Sequence, residues 1–323
     1  MFKNILITGG AGYIGSHIAE ILIKDKKKVF LLDNLSTGHR KLINPKTKFF
    51  FSDIRKIDKT REIVKKYKID SIIHLAAALS VGESQKKPKK YESINVEGTK
   101  KILEAIKRSK VRNFVFSSTC AVYQDGLSKV SERSKLKPSS VYGKTKLKGE
   151  KIIKNFCKKN KINYGILRYF NVAGASQSGK IGQINKGDQL FKNLSLELQK
   201  KKPIFKIYGD NYDTEDGTCI RDYIHVVDIA NIHLKVLKKI CNNKSIILNC
   251  GYSRGVSVYE VIASFKKNTK KEIKTKIIKK RKGDMAKIIS DSSKLKRFIK
   301  WKPKFNSLDV IVKSCIDWEN KKK

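Results

Sequence analysis

The segment Ile5–His17, ILITGGAGYIGSH, joins a short apolar run to the start of an amphipathic stretch. Gly9, Gly12 and Gly15 lie between the two, where glycine permits a tight turn and lets a pyrophosphate approach the N-terminus of a helix. Their spacing, G-x-x-G-x-x-G, differs from the G-x-G-x-x-G of the ordinary dinucleotide fingerprint. We therefore predict a dinucleotide-binding βα turn here. The alternative is a tight βα turn that binds no ligand.

Around this segment, short β-branched runs alternate with amphipathic stretches. The runs that predict strands are KNILIT, KVFLLD, DSIIHLA, RNFVFSS and INYGILRYF, and the stretches that predict helices are Tyr13–Lys24, Ile57–Tyr67, Val96–Ser109 and about 142–159. Strand, helix and strand at this spacing indicate βαβ units on a parallel sheet. The fold class is therefore α/β, a Rossmann-type doubly wound parallel sheet.

The pattern loosens after Asn171 into a stretch rich in Gly, Ser, Gln and Asn that extends to Gly187. Such a stretch is typical of a boundary or a substrate loop. We predict a dinucleotide-binding domain over 1–170, to which about 224–250 returns, and a smaller C-terminal α/β substrate domain over 171–323. Helices are expected near 189–200, from Val227, from Val256 and at 308–318.

The formal net charge is +44, which ordinarily suggests nucleic acid or an anionic membrane as a partner. Only 11 of the 73 basic residues are arginine, and the 62 lysines are dispersed along the predicted helices. Arginine forks read phosphates and bases better than lysine does, so a dispersed lysine excess indicates a solvated surface. We expect no specific nucleic-acid partner. A basic nucleic-acid-binding protein on a Rossmann scaffold remains the alternative class.

The six cysteines are scattered, without a C-x-x-C pair or a Cys/His cluster at metal-ligand spacing. No run approaches the roughly 18 to 20 apolar residues that a membrane span needs. These patterns predict thiols in a reducing cytoplasm, no metal and no membrane association.

Asp33 ends the second predicted strand, 18 residues after Gly15. A carboxylate at this point accepts from a ribose 2′-hydroxyl and repels a 2′-phosphate, so the sequence predicts NAD rather than NADP as the cofactor. Capping of the following loop is the alternative role for Asp33. In the segment FSDIR, Asp53 and Ile54 end the next strand, where we expect contact with the adenine.

Tyr142 and Lys146 are four residues apart at the start of a predicted helix and therefore share one face. A tyrosine phenol has a pKa of about 10 and is a poor base at neutral pH. One cation about 4 Å away, at an effective dielectric of about 20, lowers that pKa by about three units at most. By itself this spacing is common and more often structural. Together with the glycine turn and the strand end FSSTCAVY, it predicts that Tyr142 is a base whose pKa is lowered by Lys146 and by a positive nicotinamide ring.

The strand FVFSSTCAVY ends next to the predicted site, because ligands of parallel sheets bind at the carboxyl ends of the strands. Ser117, Ser118 and Thr119 each offer a hydroxyl there. One of them could hydrogen-bond the oxygen that Tyr142 deprotonates, while the others cap the strand end.

Together these residues resemble UDP-glucose 4-epimerases, which are extended short-chain dehydrogenase/reductases. The resemblance rests on TGGAGYIGSH, LDNLS, SDIR, HLAA, VGES, FSSTCAVY, YGKTK, RYFNVAGA, YGDNYDTEDGTCIRDYIHV and RKGD, spread from about Phe2 to Asp291. The glycine loop and Y-x-x-x-K specify only the superfamily, whereas the segment DNYDTEDGTCIRDYIHV is much narrower. A homodimer is also implied by the resemblance.

The resemblance implies a role for individual residues. Tyr142 would be the base, Lys146 would hold the nicotinamide ribose, and Thr119 would take the catalytic hydroxyl position. The cofactor-binding set would be Gly9, Gly12, Tyr13, Ile14, Gly15, Asp33, Asn34, Asp53, Ile54, Leu75, Ala76, Ala77, Tyr142, Lys146 and Phe170. The substrate-binding set would be Thr119, Tyr142, Asn171, Gln189, Leu190, Tyr208, Arg221, Arg281, Asp284 and Ile288.

Within the substrate-binding set, Arg221 and Arg281 would bind the diphosphate, which also suits the fork-shaped donors of arginine. Asn171 would contact the phosphates, Asp284 the uridine ribose and Tyr208 the uracil. The family position that controls room around the C2 substituent of the sugar aligns with Ile288, which is intermediate in size.

This chain departs from the family at two places. Leu79 stands where some relatives have a lysine, and DQLFKNL lacks the proline of the uridine-binding helix, so Gln189 and Leu190 are approximate counterparts.

The resemblance predicts a reversible C4 epimerase of a UDP-hexose that uses bound NAD catalytically. The alternatives are 4-epimerases of UDP-N-acetylhexosamine, UDP-glucuronate or UDP-pentose. A nucleotide-sugar dehydratase is disfavoured, since Cys120 and Ala121 follow Thr119 and provide no acid to protonate a leaving hydroxyl.

Overall fold

The computed structural model describes residues 2–242, 244–281 and 284–321. Its strands are β1 (Asn4–Thr8), β2 (Lys28–Asp33), β3 (Lys48–Phe51), β4 (Ser71–His74), β5 (Asn113–Thr119), β6 (Lys129–Val130), β7 (Asn163–Tyr169), β8 (Asn171–Ala173), β9 (Ile204–Tyr208), β10 (Ile220–Arg221), β11 (Tyr223–His225), β12 (Ile246–Cys250), β13 (Val256–Ser257), β14 (Lys274–Ile278) and β15 (Lys287–Ser290).

The helices are α1 (Tyr13–Lys24), α2 (Ile57–Lys66), α3 (Val81–Lys86), α4 (Pro88–Tyr91), α5 (Gly98–Ile106), α6 (Val141–Lys159), α7 (Leu190–Glu197), α8 (Val226–Ile240), α9 (Val258–Thr269), α10 (Ser293–Ile299) and α11 (Leu308–Asn320). A π-helical turn, Glu92–Glu97, joins α4 to α5. Single 3₁₀ turns occupy Arg40–Leu42 and Cys120–Val122.

Seven strands form the main sheet in the order β12-β7-β5-β4-β1-β2-β3. The pairs of β1 with β2 and β4, of β2 with β3, and of β5 with β4 and β7 are all parallel. The order reverses at β1, so the carboxyl ends of β1 and β4 flank the switch point where such sheets bind ligands. The doubly wound parallel sheet is confirmed.

Apolar residues of the strands and helices fill the core of this sheet. β4 and β5 are buried along their whole length, as expected for strands covered on both faces. Helices α2, α5 and α6 contribute Ile63, Ile102 and Ile153 to the same cluster. The core thereby holds rigid the strand ends that carry the polar residues.

The chain divides into two compact units. The first unit comprises 1–122, 138–169 and 229–248, and the second comprises 123–137, 170–228 and 249–323. The second unit holds a four-stranded sheet in the order β13-β10-β15-β6 and two two-stranded sheets, β11-β8 and β14-β9.

Residues 123–137 were expected in the first domain but group with the second unit. Their strand β6 pairs in parallel with β15, where Lys129 lies opposite Ile289. The side chain of Asn249 also donates to the carbonyl of Val130. These long-range pairings have no signal in the local sequence pattern.

Candidate active site

The turn between β1 and α1 has the backbone that its glycines allow. Gly9 has a φ of +72°, and a Cβ there would lie 2.8 Å from the amide nitrogen of Ala76. Helix α1 begins at Tyr13, and no side chain caps it at Gly12. A bare, closely approachable helix N-terminus fits the pyrophosphate of a dinucleotide.

Position 15, in the first turn of α1, requires a glycine because it lies against the backbone of the glycine turn. A Cβ at this position would lie 2.4 Å from the carbonyl oxygen of Gly9 and 2.8 Å from the Cα of Gly10, both backbone atoms that cannot rotate away. Gly15→Ala is therefore expected to displace the turn, with a cost of about 1–3 kcal/mol in unfolding free energy and a loss of NAD binding of at least about tenfold.

The measurement for Gly15→Ala is the NAD content of the purified protein together with its thermal midpoint. Gly82→Ala is the matched control, since a Cβ there meets no atom within 4 Å. Full NAD content and an unchanged midpoint in Gly15→Ala would contradict this account of the turn.

Asp33 is buried at the end of β2 and faces the glycine turn. The amide of Ala11 donates to its Oδ2 at 3.1 Å, and the amide of Leu35 donates to its Oδ1 at 2.8 Å. Burial raises the pKa of Asp33, while these two hydrogen bonds oppose the shift. Each oxygen keeps a second lone pair, so the carboxylate retains the capacity to accept from a ribose.

Asp53 and Ile54 follow β3 in different environments. Arg55 hydrogen-bonds both carboxylate oxygens of Asp53 and lowers its pKa to about 2, with further help from Asn34. The side chain of Ile54 lies in the core against Gly98. Contact of Ile54 with a cofactor would therefore come from its backbone, a distinction that the sequence pattern does not make.

The loop after β4 is held close to the glycine turn. The amides of Leu75 and Ala76 both donate to the carbonyl of Thr8, at 3.0 and 3.1 Å. Asn95, in the π-helical turn, accepts from the amide of Ala78 at 2.8 Å and donates to its carbonyl at 3.1 Å. π-Helical turns often mark functional sites, and this one brings a buried amide to the loop that carries Leu75–Ala77.

Helix α6 begins where it does because its first amides have side-chain partners. Ser140 caps the helix by accepting from the amide of Gly143 at 3.0 Å. From α3, Gln85 and Ser84 accept from the amides of Val141 and Tyr142. The backbone under Tyr142 is thereby fixed from two elements.

Tyr142 and Thr119 meet at the carboxyl end of β5. The Thr119 hydroxyl hydrogen-bonds the Tyr142 phenol and is the interaction that lowers its pKa. Of the other two hydroxyls considered, Ser117 donates to the carbonyl of His74 and Ser118 donates to Glu150. The structure thus identifies Thr119 as the hydroxyl that hydrogen-bonds Tyr142. The sequence alone does not choose among the three.

Burial dominates the ionisation of Tyr142. It raises the pKa of the phenol to about 12, and Lys146 is not among the groups that shift it. The chain by itself therefore does not give Tyr142 the lowered pKa that was expected, because desolvation of the phenolate outweighs the Thr119 hydrogen bond. The lowering expected from Lys146 together with a nicotinamide ring concerns the NAD-bound protein and stays a prediction.

Lys146 lies buried one turn along α6 from Tyr142, with its Nζ 4.4 Å from the ring centroid of Phe116. Burial lowers the pKa of Lys146 to about 7, and Glu150 opposes the shift. This pKa lies well below that of a surface lysine, which stays charged at neutral pH.

The second unit contains the residues predicted to bind a nucleotide sugar. Arg221 on β10 lies opposite the buried Ile288 on β15 in a parallel ladder. The Arg221 guanidinium donates to the carbonyl of Ile220 at 3.0 Å. The next residue, Asp222, accepts from Ser290, Tyr252 and Ser253, so its role is to tie the strands together.

Arg281 and Tyr208 contact each other. The Arg281 guanidinium lies 3.6 Å from the centroid of the Tyr208 ring, so one face of this ring holds a cation. A uracil could use only the other face or the edge. The amide of Asp284 donates to the carbonyl of Arg281 at 3.2 Å, and Lys282 and Gly283 lie outside the described residues.

The remaining predicted residues lie at element ends. Gln189 is the exposed N-cap position of α7, and Leu190 packs on the core of the second unit. Asn171 is exposed at the start of β8, and its amide donates to the carbonyl of Asp222. Phe170 is buried, and its amide donates to the carbonyl of Cys250.

The chain matches a family model described as "NAD dependent epimerase/dehydratase family" over residues 5–251. It belongs to this family. A UDP-glucose 4-epimerase from Lactobacillus helveticus is 40% identical over 320 residues, which are 98% of this chain and 96% of that protein.

The chain is also similar to two solved structures. A UDP-glucose-4-epimerase from Stenotrophomonas maltophila with bound NAD and formylated UDP-arabinopyranose is 32% identical, has a TM-score of 0.94, and the match covers 99% of this chain and 98% of that one. A UDP-Glc/GlcNAc 4-epimerase from Campylobacter jejuni is 39% identical, with a TM-score of 0.86 and 99% of each chain covered.

Several residues that shape the candidate site were not predicted from the sequence. Asn95, Ser84 and Gln85 hold its loop and helix, and no role was predicted for any of them. Glu150, four residues after Lys146 on α6, forms a buried ion pair with Arg168. An acidic residue four positions after Lys146, and an arginine inside an otherwise apolar strand, were the available signals.

No group of three or more His, Cys, Asp or Glu side chains in 2–242, 244–281 and 284–321 is arranged to hold a metal ion. Across the same ranges, every helix falls short of the length and apolar content that a bilayer span requires.

Proposed function

We propose that this chain is a NAD-dependent 4-epimerase that interconverts UDP-glucose and UDP-galactose through a transient 4-keto sugar. One observation carries the proposal. The hydrogen-bonded Thr119–Tyr142 pair lies at a strand end with Lys146 on the same helix, in a chain 40% identical to a UDP-glucose 4-epimerase over 98% of its length.

The first half-reaction needs a base at the C4 hydroxyl. Bound NAD supplies reversible hydride transfer, so the coenzyme is regenerated in each turnover. The Tyr142 phenolate accepts the hydroxyl proton as C4 becomes a carbonyl carbon, and Thr119 donates a hydrogen bond that steadies the phenolate. The keto sugar then rotates in the pocket and presents its opposite face. Tyr142 returns the proton to the C4 oxygen, and the configuration at C4 is inverted.

The first unit supplies the groups suited to NAD. Gly9, Gly12 and Gly15 would admit the pyrophosphate, and Asp33 would accept from the adenosine ribose. Lys146 would donate to the nicotinamide ribose. The other residues proposed to contact the cofactor are Tyr13, Ile14, Asn34, Asp53, Ile54, Leu75, Ala76, Ala77 and Phe170.

The second unit supplies the groups suited to UDP. Arg221 and Arg281 would bind the diphosphate, since guanidinium forks match phosphate oxygens. Asn171 would contact the phosphates, and Asp284 would accept from the uridine ribose. The uracil would meet Gln189, Leu190 and the free edge of Tyr208. A firmly bound UDP leaves the sugar free to turn.

Ile288 would limit the size of the substituent that the sugar can carry at C2. An isoleucine is smaller than tyrosine, and the similar Campylobacter jejuni protein is named a UDP-Glc/GlcNAc 4-epimerase. A 4-epimerase of UDP-N-acetylhexosamine is therefore the second candidate.

The test is proton NMR of the purified protein mixed separately with UDP-galactose, UDP-N-acetylgalactosamine, UDP-glucuronate and UDP-arabinose. We expect inversion at C4, with UDP-galactose turned over fastest. Preference for another sugar would reassign the substrate. Inversion of none of them, with no NAD absorbance in the protein, would overturn the proposal and favour the nucleic-acid-binding alternative.

We also propose a homodimer in a reducing cytoplasm. The six cysteines, all within the described residues, form no disulfide with one another, which suits a reducing compartment. Light scattering of the purified protein measures its oligomeric state.

A further inference from the structure

Glu150 lies on α6, one turn beyond Lys146, and its side chain is buried. Its carboxylate forms two parallel hydrogen bonds with Arg168 of β7, from Nε to Oε1 at 2.9 Å and from Nη2 to Oε2 at 2.7 Å. Both side chains are only 2% exposed. The Ser118 hydroxyl donates a third hydrogen bond to Oε1.

A buried ion pair is weak evidence for a purely stabilising role. Removing two charges from water costs about as much as their attraction returns, and an apolar pair of the same volume often serves the fold equally well. The position of this pair therefore calls for another explanation. Ser118 directly precedes Thr119 and lies opposite Arg168 in the β5–β7 ladder, so the three groups join the end of β5 to α6.

The same carboxylate acts on Lys146. Burial pulls the pKa of this lysine down to about 7, and Glu150 is the charge that opposes the shift. His74 on β4 adds no positive charge at neutral pH, because burial lowers its pKa to about 3. The other ionisable groups on α6 and on the elements packed against it are Tyr142, Cys157 and the exposed lysines of α6, Cys120, Arg168, Tyr164 and Tyr169 of β7, Glu83 and Lys86 of α3, Lys89, Lys90 and Tyr91 of α4, Glu92 and Glu97 of the π-helical turn, and Lys100, Lys101 and Glu104 of α5.

The outer acidic groups are already engaged with surface lysines. Glu83 pairs with Lys90 at 2.8 Å, and Glu92 pairs with Lys148 at 2.8 Å. Glu150 is therefore the buried carboxylate best placed to compensate the charge of Lys146.

We propose that Glu150 is a positioning residue whose carboxylate, fixed by Arg168 and Ser118, compensates the charge of Lys146 and holds its ammonium group against β5. The proposal rests on the role of Lys146 given above. It assigns to Glu150 no contact with substrate or cofactor.

The test compares wild type with Glu150→Gln/Arg168→Met, which removes both charges of the pair, so that neither Glu150 nor Arg168 is left buried without the other. Lysine labelled with ¹³C at Cε reports protonation, and a resonance that titrates near pH 7 is assigned to Lys146 by its absence in Lys146→Met. In the double variant, holding NAD, we expect this midpoint to fall by about one pH unit. We also expect kcat at pH 7 to fall about tenfold, with KM changed less than about twofold.

Two further variants control the comparison. Glu150→Asp keeps the charge and should keep the Lys146 midpoint near the wild-type value. Lys192→Met/Glu319→Gln removes the buried pair of the second unit, whose side chains are 3% and 5% exposed, and should leave that midpoint unchanged. If the double variant at Glu150 and Arg168 does not fold, Ser118→Ala serves instead, with a smaller downward shift expected.

A folded Glu150→Gln/Arg168→Met, or Ser118→Ala, with the wild-type midpoint and kcat would overturn the inference and leave the pair a structural role alone. Wild-type kcat in Lys146→Met would instead overturn the assignment of Lys146 itself. The two failures are therefore distinguishable.

Discussion

Tyr142→Phe is expected to lower kcat about a thousandfold at every pH while NAD and UDP remain bound. The substitution removes only the phenol oxygen, and general base catalysis of this kind contributes about 10²–10⁴ in rate. The ring remains in place against Tyr91, with centroids 6.5 Å apart, so the packing at the start of α6 persists. NMR turnover of UDP-galactose measures kcat, and absorbance and calorimetry measure the bound NAD and UDP.

Tyr67→Phe is the matched control for this loss. It also removes one phenol oxygen from the first unit, from a ring that packs against Phe30 and Phe50 away from β5 and α6. We expect wild-type turnover from it. Turnover within about threefold of wild type in Tyr142→Phe would show that another group takes the proton.

Lys146→Met is expected to lower kcat about a hundredfold at pH 7 and to change its pH dependence. In wild type, kcat should rise with pH and level off near 7, where Lys146 loses its proton. We predict that with NAD bound the Tyr142 phenol and the Lys146 ammonium group ionise as a coupled pair, so that the plateau reports both groups.

Without the lysine, only Tyr142 remains to titrate, and burial holds its pKa at about 12. Because the base must be deprotonated, kcat of Lys146→Met should keep rising about tenfold per pH unit up to the alkaline limit of the fold.

The measurement for Lys146→Met is kcat from pH 5 to pH 10. Lys144→Met removes an exposed lysine two positions earlier on the same helix and should keep the wild-type profile. If kcat of Lys146→Met still levelled off near pH 7, the lysine would not be the group that sets this plateau.

Much of the first unit could be predicted because its signals are local. The helix Tyr13–Lys24 was predicted with the ends that the structure gives it, since glycines and an apolar stripe define it. The helix expected at Val96–Ser109 instead spans Gly98–Ile106 after a π-helical turn, because tertiary packing around Asn95 changes the hydrogen bonding. Strands β6, β10 and β13 have two residues each and were missed, since segments this short carry no periodicity.

In the candidate site, too, some features could be predicted from local sequence and others depend on tertiary contacts. Tyr142 and Lys146 were predicted together because residues four apart on a helix share a face. Thr119 could not be separated from Ser117 and Ser118, since all three follow one another in one strand and only their partners differ. Arg281 was predicted to bind a diphosphate, but its contact with Tyr208 joins residues 73 positions apart and has no local signal.

The sequence by itself determined the parallel α/β fold, the glycine turn, the acid at the end of β2 and the helix face that carries a phenol and an ammonium group. These features are fixed by neighbours within a few residues. Only the tertiary structure decided that burial raises the pKa of Tyr142 and lowers that of Lys146. It also brought Glu150, Arg168 and Ser118 together. The physical reason is that desolvation and buried ion pairing depend on which distant segments exclude water from a residue, and a linear pattern does not contain that information.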